Sequence, residues 1–166
     1  LRLHHPLSPG GGEGGVRGPH VCLTGGEPLA QPNALPLLAA LCDAGWRVSL
    51  ETSGAIDWTG VDPRVARVVD VKRPASGEQA RNLLELLPQL TPHDQLKFVV
   101  CDRADYEWAR DLTRERGLAE RCPVLFSPSF GQLAPRELAG WILEDRLPVR
   151  FQLQLHKVLW GEERGR

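Results

Sequence analysis

The chain has 166 residues, 42% hydrophobic and 25% charged, with a formal net charge of −1, which allows one ordinary core and leaves little for a second. Its 20 basic and 21 acidic residues are scattered through segments of mixed sign, so there is no electrostatic footprint for a nucleic-acid backbone or an anionic membrane, and a small-molecule partner is favoured. No apolar run approaches the roughly 20 residues that span a bilayer and the first residues lack a signal-peptide core, which makes the cytoplasm the expected compartment.

Residues 1–19 hold the Gly/Pro-rich stretch "LSPGGGEGGVRGPH", whose lack of periodicity predicts a linker or disordered start. From His20 to Trp160, β-rich runs alternate with segments of helical period, the mark of βα units on a parallel sheet. The first strand is expected over His20–Thr24. A helix comes next, with Asn33 as cap, Pro36 in the tolerated first turn, Leu35, Leu38, Leu41 and Cys42 as its apolar face and Gly45 as its stop. Strands are predicted at Trp46–Glu51 and Val65–Val71. A second helix begins at Ser76, with Gln79 completing a capping box, and buries Leu83, Leu86, Leu87 and Leu90.

A fourth strand is expected at Gln95–Cys101. The next helix starts near Asp102, carries Ala104, Trp108, Ala109 and Leu112 on one face and ends at Gly117. After a strand at Pro123–Phe126, a helix opens on Pro135 and packs Leu138, Trp141 and Ile142. In the final run "VRFQLQLHK", Val149, Phe151, Leu153 and Leu155 alternate with Arg150, Gln152, Gln154 and His156. That pattern predicts a strand over Val149–His156 with one polar face. Residues 161–166 form a charged tail.

Five or six βα units are too few for an eight-stranded barrel, leaving an open doubly wound sheet or a partial barrel. In both, ligands bind at the C-terminal ends of the strands. Those ends carry Thr24-Gly25-Gly26-Glu27-Pro28, Glu51-Thr52-Ser53-Gly54, Asp70-Val71-Lys72, Ser127-Pro128-Ser129, Gln154 and His156. The double glycine exposes backbone N–H groups to a carboxylate or phosphate. Glu27 beside it would repel a pyrophosphate but suits a ligand whose ammonium group neighbours its own carboxylate, the head of an amino acid. Taken alone, the turn equally fits a tight βα connection with Glu27 at a helix start.

Glu51 with Thr52 and Ser53 offers adjacent acceptors for a ribose or a polar heterocycle, and Lys72 can reach a ligand carboxylate. The four cysteines, Cys22, Cys42, Cys101 and Cys122, are widely spaced among apolar neighbours, which predicts buried thiols and no metal site.

The segments "HVCLTGGEPLAQPN", "VSLETSGA", "DVKRPASGE", "LKFVV" and "FQLQLHKVLW", in this order, resemble the 7-carboxy-7-deazaguanine synthase family of radical S-adenosylmethionine enzymes. The resemblance runs from about His20 to Trp160. It implies a partial (β/α) barrel of the radical SAM type, truncated at the N-terminus. It also implies ring contraction of 6-carboxy-5,6,7,8-tetrahydropterin with loss of ammonia on the route to queuosine. That reaction would be started when a [4Fe–4S] cluster cleaves S-adenosylmethionine, and magnesium would assist it.

Carried over residue by residue, the resemblance gives Gly25, Gly26 and Glu27 to the methionyl group. Glu51, Ser53, Asp70, Val71 and Lys72, together with Ser127, Pro128, Ser129 and Phe130, would complete the cofactor site. Thr24, Gln154 and His156 would contact the substrate. An external electron donor such as flavodoxin, a homodimer, and no direct contact with nucleic acid or membrane are implied as well. The family's Cys-x-x-x-Cys-x-x-Cys loop cannot be built from these four cysteines, so the cluster loop, the magnesium ligand and the first βα unit are expected upstream of Leu1. Two other readings are an activating enzyme of the same superfamily and an inactive remnant.

Overall fold

A computed structural model describes residues 19–73 and 82–161. Six strands, β1 (His20–Leu23), β2 (Arg47–Thr52), β3 (Ala66–Val71), β4 (Gln95–Val100), β5 (Val124–Pro128) and β6 (Arg150–Phe151), form one sheet in chain order. Every neighbouring pair is parallel. Among the described residues this order has no reversal and so no switch point of a doubly wound sheet. Right-handed crossovers then carry each new strand to the same side of the last and keep the connections on one face.

That face is the core. Val48, Leu50, Val69, Val71, Leu96, Phe98, Val100, Val124 and Phe126 form one buried cluster with residues of the helices α1 (Ala34–Asp43), α2 (Arg103–Glu115), α3 (Leu118–Arg121) and α4 (Pro135–Glu144). Phe98, Tyr106, Trp108 and Phe126 meet edge to face within it, a geometry that adds to plain area burial. The alternate residues of the strands, among them Cys22, Ser49, Glu51, Val68, Asp70, Lys97, Leu125 and Ser127, point to the opposite face.

The helix stops agree with the sequence. Gly45 and Gly117 take φ of +81° and +58° where α1 and α2 end, and the Asp102 side chain accepts from Asp105 N at 2.8 Å as the N-cap of α2. Pro135 opens α4. Asn33 stands at the N-cap of α1 but makes no capping bond.

Several expectations need correction. Leu38 is buried as expected, but Leu35 is exposed and Ala34 is buried in its place, and Ala104 lies on the outer side of α2. The helix predicted from Ser76 has its capping box outside the described residues. Its remaining portion is a 3-10 helix, Leu84–Gln89, with Pro88 inside it, because a proline without an N–H cannot extend an α-helical ladder. Leu87 and Leu90 are buried, with Leu83 and Leu86 packed against them.

The long final strand is the largest correction. Pairing ends at Phe151, with a last bond from Gln152 N to Phe126 O at 2.9 Å, and Leu155–Trp160 forms a short helix, α5. Of the four thiols only Cys122 is buried. Cys22 is exposed, because it faces away from the helices on strand β1, which among the described residues pairs only with β2.

Candidate active site at the strand ends

The Gly25–Gly26 turn is held by Glu27. Glu27 is the N-cap of a 3-10 helix, Pro28–Ala30, and its Oε1 accepts from Leu29 N at 3.1 Å. The same carboxylate reaches the end of β2, accepting from Thr52 Oγ1 at 3.0 Å and from Ser53 N at 2.7 Å, and from the Ser53 hydroxyl. Burial works to raise its pKa, but the bonds from Ser53, Leu29 and Thr52 outweigh this and hold the carboxyl below its ordinary value. Glu27 is therefore an anion at neutral pH, and four donors fill the roughly four acceptor directions of a carboxylate. The sequence suggested an ammonium anchor. The structure makes Glu27 first the brace that locks the β1 turn onto β2.

Next to this brace, Thr24, Gly25, Gly26, Glu51, Ser53, Asp70 and Lys72 line a single cavity of about 200 Å³. They come from the ends of β1, β2 and β3, and the register explains the meeting. Leu23 pairs with Leu50, Glu51 with Val68, and Asp70 with Lys97, so Thr24, Glu51 and Asp70 share the face turned away from the helices. The Thr24 hydroxyl donates to Glu51 Oε2 at 3.3 Å. Lys72 Nζ donates to Asp70 Oδ2 at 2.6 Å, and its backbone is pinned by Asn82, which accepts from Lys72 N at 2.9 Å and donates to Lys72 O at 2.6 Å. Gly54 takes φ +71°, and a Cβ there would stand 3.0 Å from Val69 Cγ1. Only glycine fits beneath this wall.

Val71 differs from its neighbours: its side chain is 3% exposed and belongs to the core. The turn after β5 builds a second cavity of about 390 Å³, lined by Pro128, Ser129, Phe130, Leu133, Leu153 and Gln154. Gln154 Oε1 is buried there without a hydrogen-bond partner among the described residues, as is the hydroxyl of Ser127, which is wholly buried on β5. A third hollow of about 510 Å³ lies on the α1 side of the Gly25–Gly26 turn, with Gln31 and Asn33. His156 is exposed on α5 and lines none of these three cavities.

Lys97, Val68 and Asn82 at the site were not singled out from sequence. Lys97 lines the 200 Å³ cavity, and its parity with Asp70 in adjacent strands was the available signal. Asn82 carried none, since its role depends on how the chain returns after β3. Among the described residues no group of three His, Cys, Asp or Glu side chains could hold a metal ion. The described residues therefore offer no three-ligand set for an iron–sulfur cluster.

No family model matches the chain. The solved structures define its class as an α/β fold. It is similar to SuiB of Streptococcus suis bound to S-adenosylmethionine, with a TM-score of 0.58 and 13% identity over 81% of this chain and 38% of SuiB. The complex of SuiB with its precursor peptide SuiA gives a TM-score of 0.59 at 12% identity, over 84% and 40%.

Sequence relatives are more specific. The chain is 46% identical over 155 residues to a 7-carboxy-7-deazaguanine synthase of Koribacter versatilis, covering 85% of this chain and 69% of that protein. It is 45% identical over 148 residues to the one of Chlorobaculum tepidum, covering 87% and 67%. The chain belongs to the 7-carboxy-7-deazaguanine synthase family, a family of enzymes.

Proposed function

We propose that the chain forms the cofactor- and substrate-facing part of a radical SAM enzyme. That enzyme converts 6-carboxy-5,6,7,8-tetrahydropterin into 7-carboxy-7-deazaguanine with loss of ammonia. The observation that carries this reading is the convergence of Thr24, Gly25, Gly26, Glu51, Ser53, Asp70 and Lys72, from three separate strand ends, on one polar cavity. Unreversed strand order supports a curved sheet of the partial-barrel kind, open on the face that holds the cavity.

Each group has a task set by its chemistry. The exposed Gly25–Gly26 backbone, braced by Glu27, takes the methionyl head. Asp70 and Glu51 accept from hydroxyls or ring N–H groups, and Thr24 contacts the pterin. Pro128, Ser129 and Phe130 in the cavity after β5 complete the cofactor site, and the unpartnered Gln154 oxygen there contacts the substrate. When bound, S-adenosylmethionine supplies the radical chemistry, and the chain supplies orientation and exclusion of water. Residues Leu155, Val158, Leu159 and Trp160 leave an apolar surface on α5, which supports a homodimer. An external protein supplies the electron, and the site of action is the cytoplasm.

Anaerobic iron–sulfur reconstitution of the protein expressed from its full reading frame, with reductant and the pterin, is expected to yield 7-carboxy-7-deazaguanine by mass spectrometry. A cluster-loaded protein that makes none would sink the reading.

A further inference from the structure

We infer that Lys97 is a ligand-binding residue: its ammonium group receives a carboxylate that enters the cavity between β1 and β4. The inference rests on the proposed function and adds a ligand-binding group to the same site.

The charges of the cavity are those of Glu51, Asp70, Lys72 and Lys97. Three of them are already engaged. Lys72 Nζ sits 2.6 Å from Asp70 Oδ2, and Glu51 accepts from the Thr24 hydroxyl. The Lys97 side chain has no hydrogen-bond or ion-pair partner among the described residues. Yet it stands mid-strand and partly buried, with Asp70 as its register partner on β3 and Leu125 on β5.

Opposite charges side by side on neighbouring strands form a natural cross-strand pair, but here the acid is taken by the lysine two positions along its own strand. Lysine is depleted in strand interiors, and an anion entering this cavity gives the Lys97 ammonium the partner that the chain does not supply.

The lining also selects the anion. Glu51 and Asp70 equal the two lysines in number and repel a phosphate dianion, whereas a single carboxylate can meet the one ammonium group of the cavity that no acid pairs. A volume of about 200 Å³ falls below the ~300–1,000 Å³ typical of a whole small-molecule site, so a head group enters and the rest of the ligand lies outside. Two ligands of the proposed reaction carry a carboxylate: S-adenosylmethionine on its methionyl end, and the pterin at its 6 position.

Calorimetric titration of the full chain with matched probes separates these sources. The pairs are S-adenosylmethionine against its decarboxylated analogue, and 6-carboxypterin against pterin. In one pair the unmutated chain is expected to bind the carboxylate at least about 10-fold more tightly, the scale of one charge-assisted hydrogen bond. Lys97→Met should erase that preference while binding the decarboxylated probe as before, and Lys97→Arg should keep most of it. Binding of the decarboxylated probe certifies the fold of each variant, and Lys97→Gln makes the same comparison if methionine perturbs the strand.

The pair that loses its preference identifies the source. Undiminished preference in both pairs for Lys97→Met and Lys97→Gln overturns the inference and leaves the proposed function standing. An unmutated chain that binds none of the four probes overturns both.

Discussion

Ser53 and Glu27 stand 26 positions apart and are joined twice, with the Ser53 amide at 2.7 Å from Glu27 Oε2 and its hydroxyl donating to the same oxygen. One carboxylate thereby sets the position of two strand-end loops, and the polar cavity lies between them.

Glu27→Gln places an amide N–H₂ where the chain already points donors, so at least one buried bond is lost and two donors are left facing each other. Unfolding in urea should show a loss of about 2 kcal/mol, and calorimetry should show S-adenosylmethionine binding weakened more than 10-fold. Ser53→Ala removes one donor of four and should cost about 1 kcal/mol.

Asn82 mimics a neighbouring strand for Lys72, satisfying both its N–H and its C=O. Asn82→Ala frees that backbone and lets the Lys72 ammonium drift from Asp70. A several-fold rise in the dissociation constant of S-adenosylmethionine is expected, with the melting temperature lowered by only a few degrees. An unchanged dissociation constant would show that Lys72 is positioned by Asp70 alone.

At the opposite ends of the strands, Asp94 is buried against Arg67, accepting from Arg67 N and Nε at 2.9 Å and from Nη2 at 2.6 Å, and from Thr91 N and Oγ1. Burial works to raise the Asp94 pKa, but the bonds from Arg67 and Thr91 prevail and hold it below the ordinary 3.8. A carboxyl depressed by folding contributes stability that is fully present above its unfolded pKa and is lost as pH falls through the folded one. Asp94→Asn should therefore cost about 3 kcal/mol at pH 7. Chemical denaturation of the two proteins across pH 7 to 2 should show the gap closing only below about pH 4.

Thiol labelling at pH 8 should distinguish the cysteines by environment. Cys22 is exposed and should react within minutes. Burial, reinforced by the nearby Asp94 charge, pushes the Cys122 thiol up to about 11, so it should label only after unfolding. Fast native-state modification of Cys122 would mean that the sheet around β5 opens.

The strands from Trp46 to Val100 were legible because a strand buried against helices must repeat β-branched and aromatic residues on one side, as "ARVVDV" and "QLKFVV" do. Most of the cavity was legible for a related reason: strand ends in a parallel sheet all emerge at one edge. The last run misled because its alternation over eight residues mimicked a strand, although pairing needs a neighbour. β5 supplies one only as far as Gln152. Leu155, Val158 and Leu159 also fit a helical spacing, and with no strand to pair with, the helix satisfied the backbone instead. The use of Glu27 as a brace was invisible for another reason. It depends on Thr52 and Ser53 arriving from a different strand, a relation set by register and absent from local pattern.

A sheet whose spatial order equals its chain order is also a schedule. During synthesis each strand emerges with a single partner already waiting at the growing edge, and none has to be threaded between two that are formed. The polar cavity draws on β1 through β4 and closes when Lys97 arrives, while the last third of the chain is still being made. The β5 hollow, with its unpartnered Gln154, is assembled last. A nascent chain would therefore form the polar cavity before the hollow after β5.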